Sequence, residues 1–252
     1  MKIAIIYYST YGHVGKLSAT ALEALKEANV EADLFQVPET LPQEVLDKMY
    51  APPKDDSIPI ITVEDLTKYD GFLFGLPTRF GNLPAQFKSF WDQTGGLWAN
   101  GALNGKPFGI FVSTGTPGGG QEATFRNSLS SFIHHGMIYV PLGYGEAFPL
   151  LTNLEEVHGG SPWGAGAYAG ADGSRQPSEL ELKLVQIQAK NFASVVEKFT
   201  STKPAEVPAE KKVSEKVAEK EPEKVEQSTA RQAQQKPAVK EDDSFCSKCI
   251  IM

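Results

Sequence analysis

KIAIIYYSTYGHV, residues 2–14, decides the fold of this chain. Ile3, Ala4, Ile5 and Ile6 form a continuous, mostly β-branched apolar run of strand length, which reads as a buried central strand. Tyr7 and Tyr8 close the run. Ser9-Thr10-Tyr11-Gly12-His13 is a hydroxyl-rich turn, after which Val14, Leu17, Ala21, Leu22 and Leu25 recur at helical spacing. The unit is therefore strand, tight loop, helix. A helix N-terminus presents backbone N–H groups without intrahelical partners and a partial positive charge, so such a loop favours a phosphate even without lysine or arginine. A phosphate-bearing cofactor is the first expectation.

The same order recurs downstream. Glu31 to Val37 reads as a second strand, and residues 38–63 hold Pro38, Pro42, Pro52, Pro53 and Pro59 around a short helical piece at Glu44 to Tyr50, the mark of a surface excursion. Gly71 to Gly75 is a third strand, followed by the loop Leu76 to Asn82 and a helix through Ala85, Phe87, Phe90 and Trp91. Phe108 to Val112 empties into Ser113-Thr114-Gly115-Thr116-Pro117-Gly118-Gly119-Gly120 and a helix from Gln121 to His134. Met137 to Val140 is expected as a fifth strand and Gly143 to Gly173 as a Gly-rich insertion. Pro177 to Lys198 is the closing helix, apolar at Leu180, Leu184, Ile187, Phe192, Val195 and Val196. An α/β architecture follows: a five-stranded, doubly wound parallel sheet in three layers. Ligands of such sheets bind at the carboxyl ends of the strands, where the loops at 9–14, 76–82 and 113–120 are expected to gather.

Composition divides the chain. Residues 200–252 hold ten Lys/Arg and ten Asp/Glu, so the net charge of −7 resides in residues 1–199. An acidic globule argues against nucleic acid as a partner. No apolar stretch reaches the roughly 18 residues that span a bilayer, and no charged-then-apolar leader opens the sequence, so the body is expected to be cytoplasmic. Cys246 and Cys249 are the only cysteines, so no disulfide braces the body. Residues 200–245, rich in Lys, Glu, Pro, Ala and Gln, read as a disordered tether behind a domain at 1–199.

Three convergent polar loops, with Tyr11, Phe80 and Trp98 available to pack a planar ring, carry more than turn chemistry. The segments Tyr8-Ser9-Thr10-Tyr11-Gly12-His13, Pro77-Thr78-Arg79-Phe80-Gly81-Asn82, Gly95-Gly96-Leu97-Trp98-Ala99, Ser113-Thr114-Gly115-Thr116, Gly119-Gly120-Gln121-Glu122, His134-His135-Gly136-Met137 and Gly170-Ala171-Asp172-Gly173-Ser174-Arg175 together resemble the WrbA family of flavodoxin-like NAD(P)H:quinone oxidoreductases. The resemblance spans residues 1–199 in order. It implies FMN, with Ser9, Thr10, Tyr11, Gly12, His13 and Val14 at the phosphate. Thr78, Arg79, Phe80 and Gly81 would lie along the isoalloxazine ring, and Ser113, Thr114, Gly115, Thr116, Pro117 and Gly118 on its other side. It further implies that Trp98 faces a quinone, that Tyr11 marks where NADH or NADPH binds, and that His134, rather than His135, reaches the flavin pocket. Arg79 would place positive charge on the carbonyl side of the ring. Trp98, His134 and Arg79 are thus the expected catalytic set. Ping-pong turnover, protection against quinone stress and a homo-tetramer with contacts in residues 38–63 and 143–173 are implied as well. One departure stands out: Gly118 occupies a place where the resembled pattern often carries a histidine.

Two further motifs require a choice. Gly164-Ala165-Gly166-Ala167-Tyr168-Ala169 fits a dinucleotide fingerprint, but Pro162 and Trp163 precede it where a strand should. Cys246-Ser247-Lys248-Cys249 lacks the second pair that zinc would need, and no metal site is expected. Cys249-Ile250-Ile251-Met252 instead fits the C-a-a-X pattern for farnesylation, making residues 246–252 a lipidation motif. A single lipid holds a membrane marginally, so Cys246 is the expected second, palmitoylated anchor. The expectation is a peripheral protein on the cytosolic face of a membrane, the plasma membrane first. A tethered scaffold that keeps FMN as a structural ligand is the alternative, and one-electron transfer of the flavodoxin type a third reading.

Overall fold

The computed structural model describes residues 1–201. β1 (Lys2–Tyr7), β2 (Glu31–Gln36), β3 (Gly71–Pro77), β4 (Pro107–Thr114) and β5 (Ile138–Tyr139) lie in the order β2-β1-β3-β4-β5, every pair parallel. That is the flavodoxin-like order, with its switch point between β1 and β3. The connections are α1 (His13–Glu27), the short α2 (Gln43–Lys48), α3 (Ala85–Trp91), α4 (Gly95–Ala99), α5 (Gln121–Ile133), the single turn α6 (Phe148–Leu151) and α7 (Glu179–Ser201). α7 runs through Thr200 and Ser201, past the domain boundary expected at residue 199. The remainder of the expected tether and the lipidation motif lie outside the described residues.

Period-2 alternation sends each strand's side chains to opposite layers. Ala4, Ile6, Phe72, Phe74, Phe108 and Ile110 are buried with the residues of α3 and α5, where Phe74 stacks on Phe132 at 4.4 Å and Trp91 meets Phe132 edge-on at 4.8 Å. Ile3, Ile5, Leu73 and Phe111 are buried with Leu17 and Ala21 of α1 and Leu184, Phe192 and Val196 of α7. Both faces of the sheet are covered, which is why the strands read as unbroken apolar runs.

The expected count of five strands requires a correction. β5 is only two residues long and pairs with Pro107 and Phe108, the first residues of β4. The chain then leaves and returns as a sixth strand, β6 (Gly166–Tyr168), which pairs with Val112, Ser113 and Thr114 at the other end of β4. Since β3 occupies one edge of β4, β5 and β6 share the other edge, and the fifth strand position is filled in two pieces. Gln188 of α7 closes the gap: its Nε2 donates to the Ile110 carbonyl and its Oε1 accepts from the Ala165 N–H, both at 2.8 Å. Gly109 leaves room for this, because a Cβ there would lie 2.9 Å from Leu73 and 3.4 Å from Gln188 Nε2. The dinucleotide-like Gly164–Ala169 stretch is β6 and its flanks, not a strand-to-helix turn.

Candidate functional site at the carboxyl edge of the sheet

β1, β3 and β4 end on one side, and the loops that leave them enclose a hollow of about 330 Å³. From the first loop come Ser9, Thr10 and Tyr11, with His13 and Val14 at the start of α1; from the second Pro77, Thr78 and Arg79; from the third Ser113, Thr114 and Gly115. Gly12 stands before α1 at φ 89°, a conformation that only glycine adopts without strain, and turns the chain sharply from loop into helix. The N–H groups of Thr10, Tyr11, His13 and Val14 make no hydrogen bond to another group among the described residues. His13 is 6% exposed, and its Nε2 is buried without a partner. Unpaired buried polar atoms of this kind are rare and point to a ligand. A phosphate at the N-terminus of α1 would satisfy them, so the residues present fit FMN's phosphate group.

The other two loops are stiffened from behind. Thr78 Oγ1 lies 2.7 Å from Thr124 Oγ1 and accepts from the Gly81 N–H, while Thr114 accepts from Gln121 Nε2, which also reaches the Ala167 carbonyl. Arg79 crosses the hollow: Nη1 donates to its neighbour's carbonyl, Thr78 O, and Nη2 to Thr10 Oγ1 at 3.0 Å. Its charge therefore stands inside the hollow, against the Ser9–Gly12 loop.

The rest of the wall comes from segments outside the three loops. Met49 arrives from the excursion at 38–63, which returns against the end of β2, where the Gln36 N–H donates to the Pro59 carbonyl and the Gln36 carbonyl accepts from the Ile61 N–H. Tyr11 OH donates to the Met49 carbonyl at 3.1 Å. Ala169 and Gly173 form the far wall, brought in by the Ala169 N–H bond to the Thr114 carbonyl. The turn they bound is held by Glu181 of α7. This fully buried carboxylate accepts from the N–H groups of Gly159, Tyr168 and Ser178 and pairs with Arg175 at 2.8 Å.

Other expected residues stand elsewhere. Gly12 lines a smaller hollow behind the phosphate loop, and Phe80 is fully exposed at φ 54° over a depression it shares with Arg79 and Leu83. Gly81, Thr116, Pro117 and Gly118 do not line the main hollow. Trp98, 60% exposed, and His134 line a separate depression of about 430 Å³ with Lys88, Trp91 and His135. There His135 Nε2 meets Thr94 Oγ1 at 2.9 Å, and burial, then the neighbouring His134, push the His135 pKa below its ordinary value.

Residues 1–146 match the family described as NADPH-dependent FMN reductase. The minor allergen Alt a 7 of Alternaria alternata is 62% identical over 200 residues, 78% of this chain and 97% of that protein. NAD(P)H quinone oxidoreductase YCP4 of Candida albicans is 60% identical over 198 residues, 79% of this chain and 69% of that one. Among solved structures, the crystal structure of a flavodoxin, WrbA-like protein from Agrobacterium tumefaciens shares the fold, with a TM-score of 0.55 at 20% identity over 79% of this chain and 98% of its own.

Proposed function

We infer from one fact, that the chain belongs to the NADPH-dependent FMN reductase family, that it is an FMN-dependent NAD(P)H:quinone oxidoreductase. The observation that carries the reading is the hollow at the end of β1, where His13 Nε2 and four backbone N–H groups lack partners. When bound, FMN supplies hydride acceptance from the nicotinamide and two-electron delivery to the quinone. The chain's part is to bind, orient and shield. The N-terminus of α1 would take the phosphate, and Thr78, Arg79, Ser113, Thr114 and Gly115, which line the hollow, would hold the ring. Arg79 keeps a positive charge inside the hollow, where it lowers the cost of added negative charge. Tyr11, half exposed at the mouth, stands where NADH or NADPH would stack. The same opening serves both substrates, so the donor leaves before the quinone enters. Steady-state rates of the FMN-loaded protein with NADH or NADPH and benzoquinone should give parallel double-reciprocal lines; intersecting lines would refute the shared opening.

Trp98 and His134 enter this reading as residues of a neighbouring subunit in a homo-tetramer. The support is their place on an exposed depression apart from the hollow, together with the uncovered Phe80 ring beside Arg79. Membrane attachment through farnesyl on Cys249 and palmitoyl on Cys246 is the remaining part of the proposal. It rests on the C-a-a-X pattern at 249–252 and on the marginal hold of a single lipid.

A further inference from the structure

The excursion at 38–63 grips the rear of the phosphate loop. The Lys54 ammonium donates to the Ser9 carbonyl, lies 4.4 Å from the centre of the Tyr8 ring and pairs with Glu39 at 3.4 Å. Glu39 is held in turn by the Tyr8 hydroxyl at 2.9 Å, Gln86 Nε2 at 3.0 Å and the N–H groups of Thr40 and Leu41. Burial lowers the Lys54 pKa, and Glu39 opposes that effect. Among the described residues, Arg79 is the one Lys or Arg that lines the main hollow, and Lys54 lines the smaller one behind the loop, with Pro52, Pro53 and Gly12.

The direction of the Lys54 bond decides what it does. In a trans peptide the C=O and N–H point opposite ways, and no peptide bond among the described residues is cis. With the Ser9 carbonyl turned back to Lys54, the N–H on the same peptide, that of Thr10, is turned away from Lys54. Ser9 and Thr10 are the partition between the two hollows, lining both. An ammonium on the carbonyl also polarises the peptide and makes its N–H a better donor.

We propose that Lys54 is a positioning residue for the phosphate loop: it fixes the peptide between Ser9 and Thr10 with its N–H toward the phosphate of FMN, and so makes the site select FMN over riboflavin. The proposal rests on the reading of the main hollow as an FMN site. Lys54 touches neither flavin nor substrate; it acts through the loop. Loss of its charge also leaves the Glu39 carboxylate behind the loop without its cation, which works against a phosphate dianion and is indifferent to riboflavin's uncharged ribityl chain.

The test is titration of the full-length apoprotein with FMN and with riboflavin, followed by flavin fluorescence, alongside apoprotein thermal unfolding. Lys54→Met is expected to raise the FMN Kd about tenfold or more, the scale of a lost charged hydrogen bond, and to leave the riboflavin Kd within about twofold. Lys54→Arg should retain most of the preference. Equal weakening of both flavins would reduce Lys54 to general support of the fold and overturn the proposal, as would unchanged FMN affinity. If Lys54→Met does not fold, the same ratio measured on Lys54→Gln decides. Failure of the wild-type protein to bind FMN would instead overturn the reading of the site.

Discussion

Replacing Gln188 by leucine tests whether one side chain completes the sheet. Gln188 is 2% exposed, and its amide spans the gap between β5 and β6 with two bonds of 2.8 Å. Leucine fills a similar volume and leaves the Ala165 N–H and the Ile110 carbonyl buried with nothing to meet them. An unsatisfied buried group costs about 1–3 kcal/mol, so two set an upper range of about 2–6 kcal/mol. The carbonyl tolerates under-satisfaction better than the N–H, and Ala165 keeps its own carbonyl bond from the Val112 N–H, so the lower half of that range, about 2–4 kcal/mol, is expected. For a domain near 200 residues each kcal/mol shifts Tm by about 2–4 °C, which gives a fall of about 5–15 °C. Thermal unfolding by circular dichroism reads the total, and amide hydrogen exchange at Ala165 reads the site. A Tm within 1 °C of wild type at about that precision, with Ala165 still protected, would refute the argument that α7 stands in for missing strand.

Gly75→Ala would push a methyl to 2.6 Å from Phe111 and 2.7 Å from Val14, an overpacking that costs about 1–3 kcal/mol. Because Val14 begins at the phosphate loop, FMN affinity should fall together with Tm; a Tm loss with unchanged FMN titration would separate the two. Burial opposes ionisation of Glu39, but its hydrogen bonds from Leu41, Tyr8, Gln86 and Thr40 prevail and hold its pKa below the ordinary 4.5. A depressed carboxyl pKa contributes stability above the unfolded value and loses it as pH falls through the folded one, so Glu39→Gln should flatten the decline of Tm below pH 4.5, and an unchanged acid limb would contradict this. Cys249→Ser should move the full-length protein from the membrane to the soluble fraction, and unchanged partitioning would remove the lipid anchor from the account.

The central strands and the three loops were legible because they are local. Ile3 to Ile6 and Phe108 to Val112 are buried on both faces, and burial on both faces writes itself as an unbroken apolar run. The split fifth strand was not legible. Gly166-Ala167-Tyr168 is too short to announce a strand, and the residue that makes the split tolerable, Gln188, lies twenty residues further on in a helix whose apolar positions gave no reason to single it out. Met49 reaches the hollow from a segment that is distant in sequence and ordinary in composition. Gly170 to Arg175 was visible as part of a resemblance, yet its part in the wall depends on Glu181, a fully buried carboxylate of a residue type that is ordinarily exposed. Trp98 and His134 were legible as residue types within motifs, while their separation from the hollow is a property of the folded chain alone.

Anaerobic stopped-flow of the FMN-loaded protein, mixed with NADH or NADPH and then with benzoquinone, is the most direct measurement of the central claim. The account predicts rapid loss of the oxidised flavin absorbance with at least one nucleotide and rapid recovery with the quinone. FMN that binds but is bleached by neither nucleotide would contradict the oxidoreductase reading and leave a tethered flavin-binding scaffold in its place.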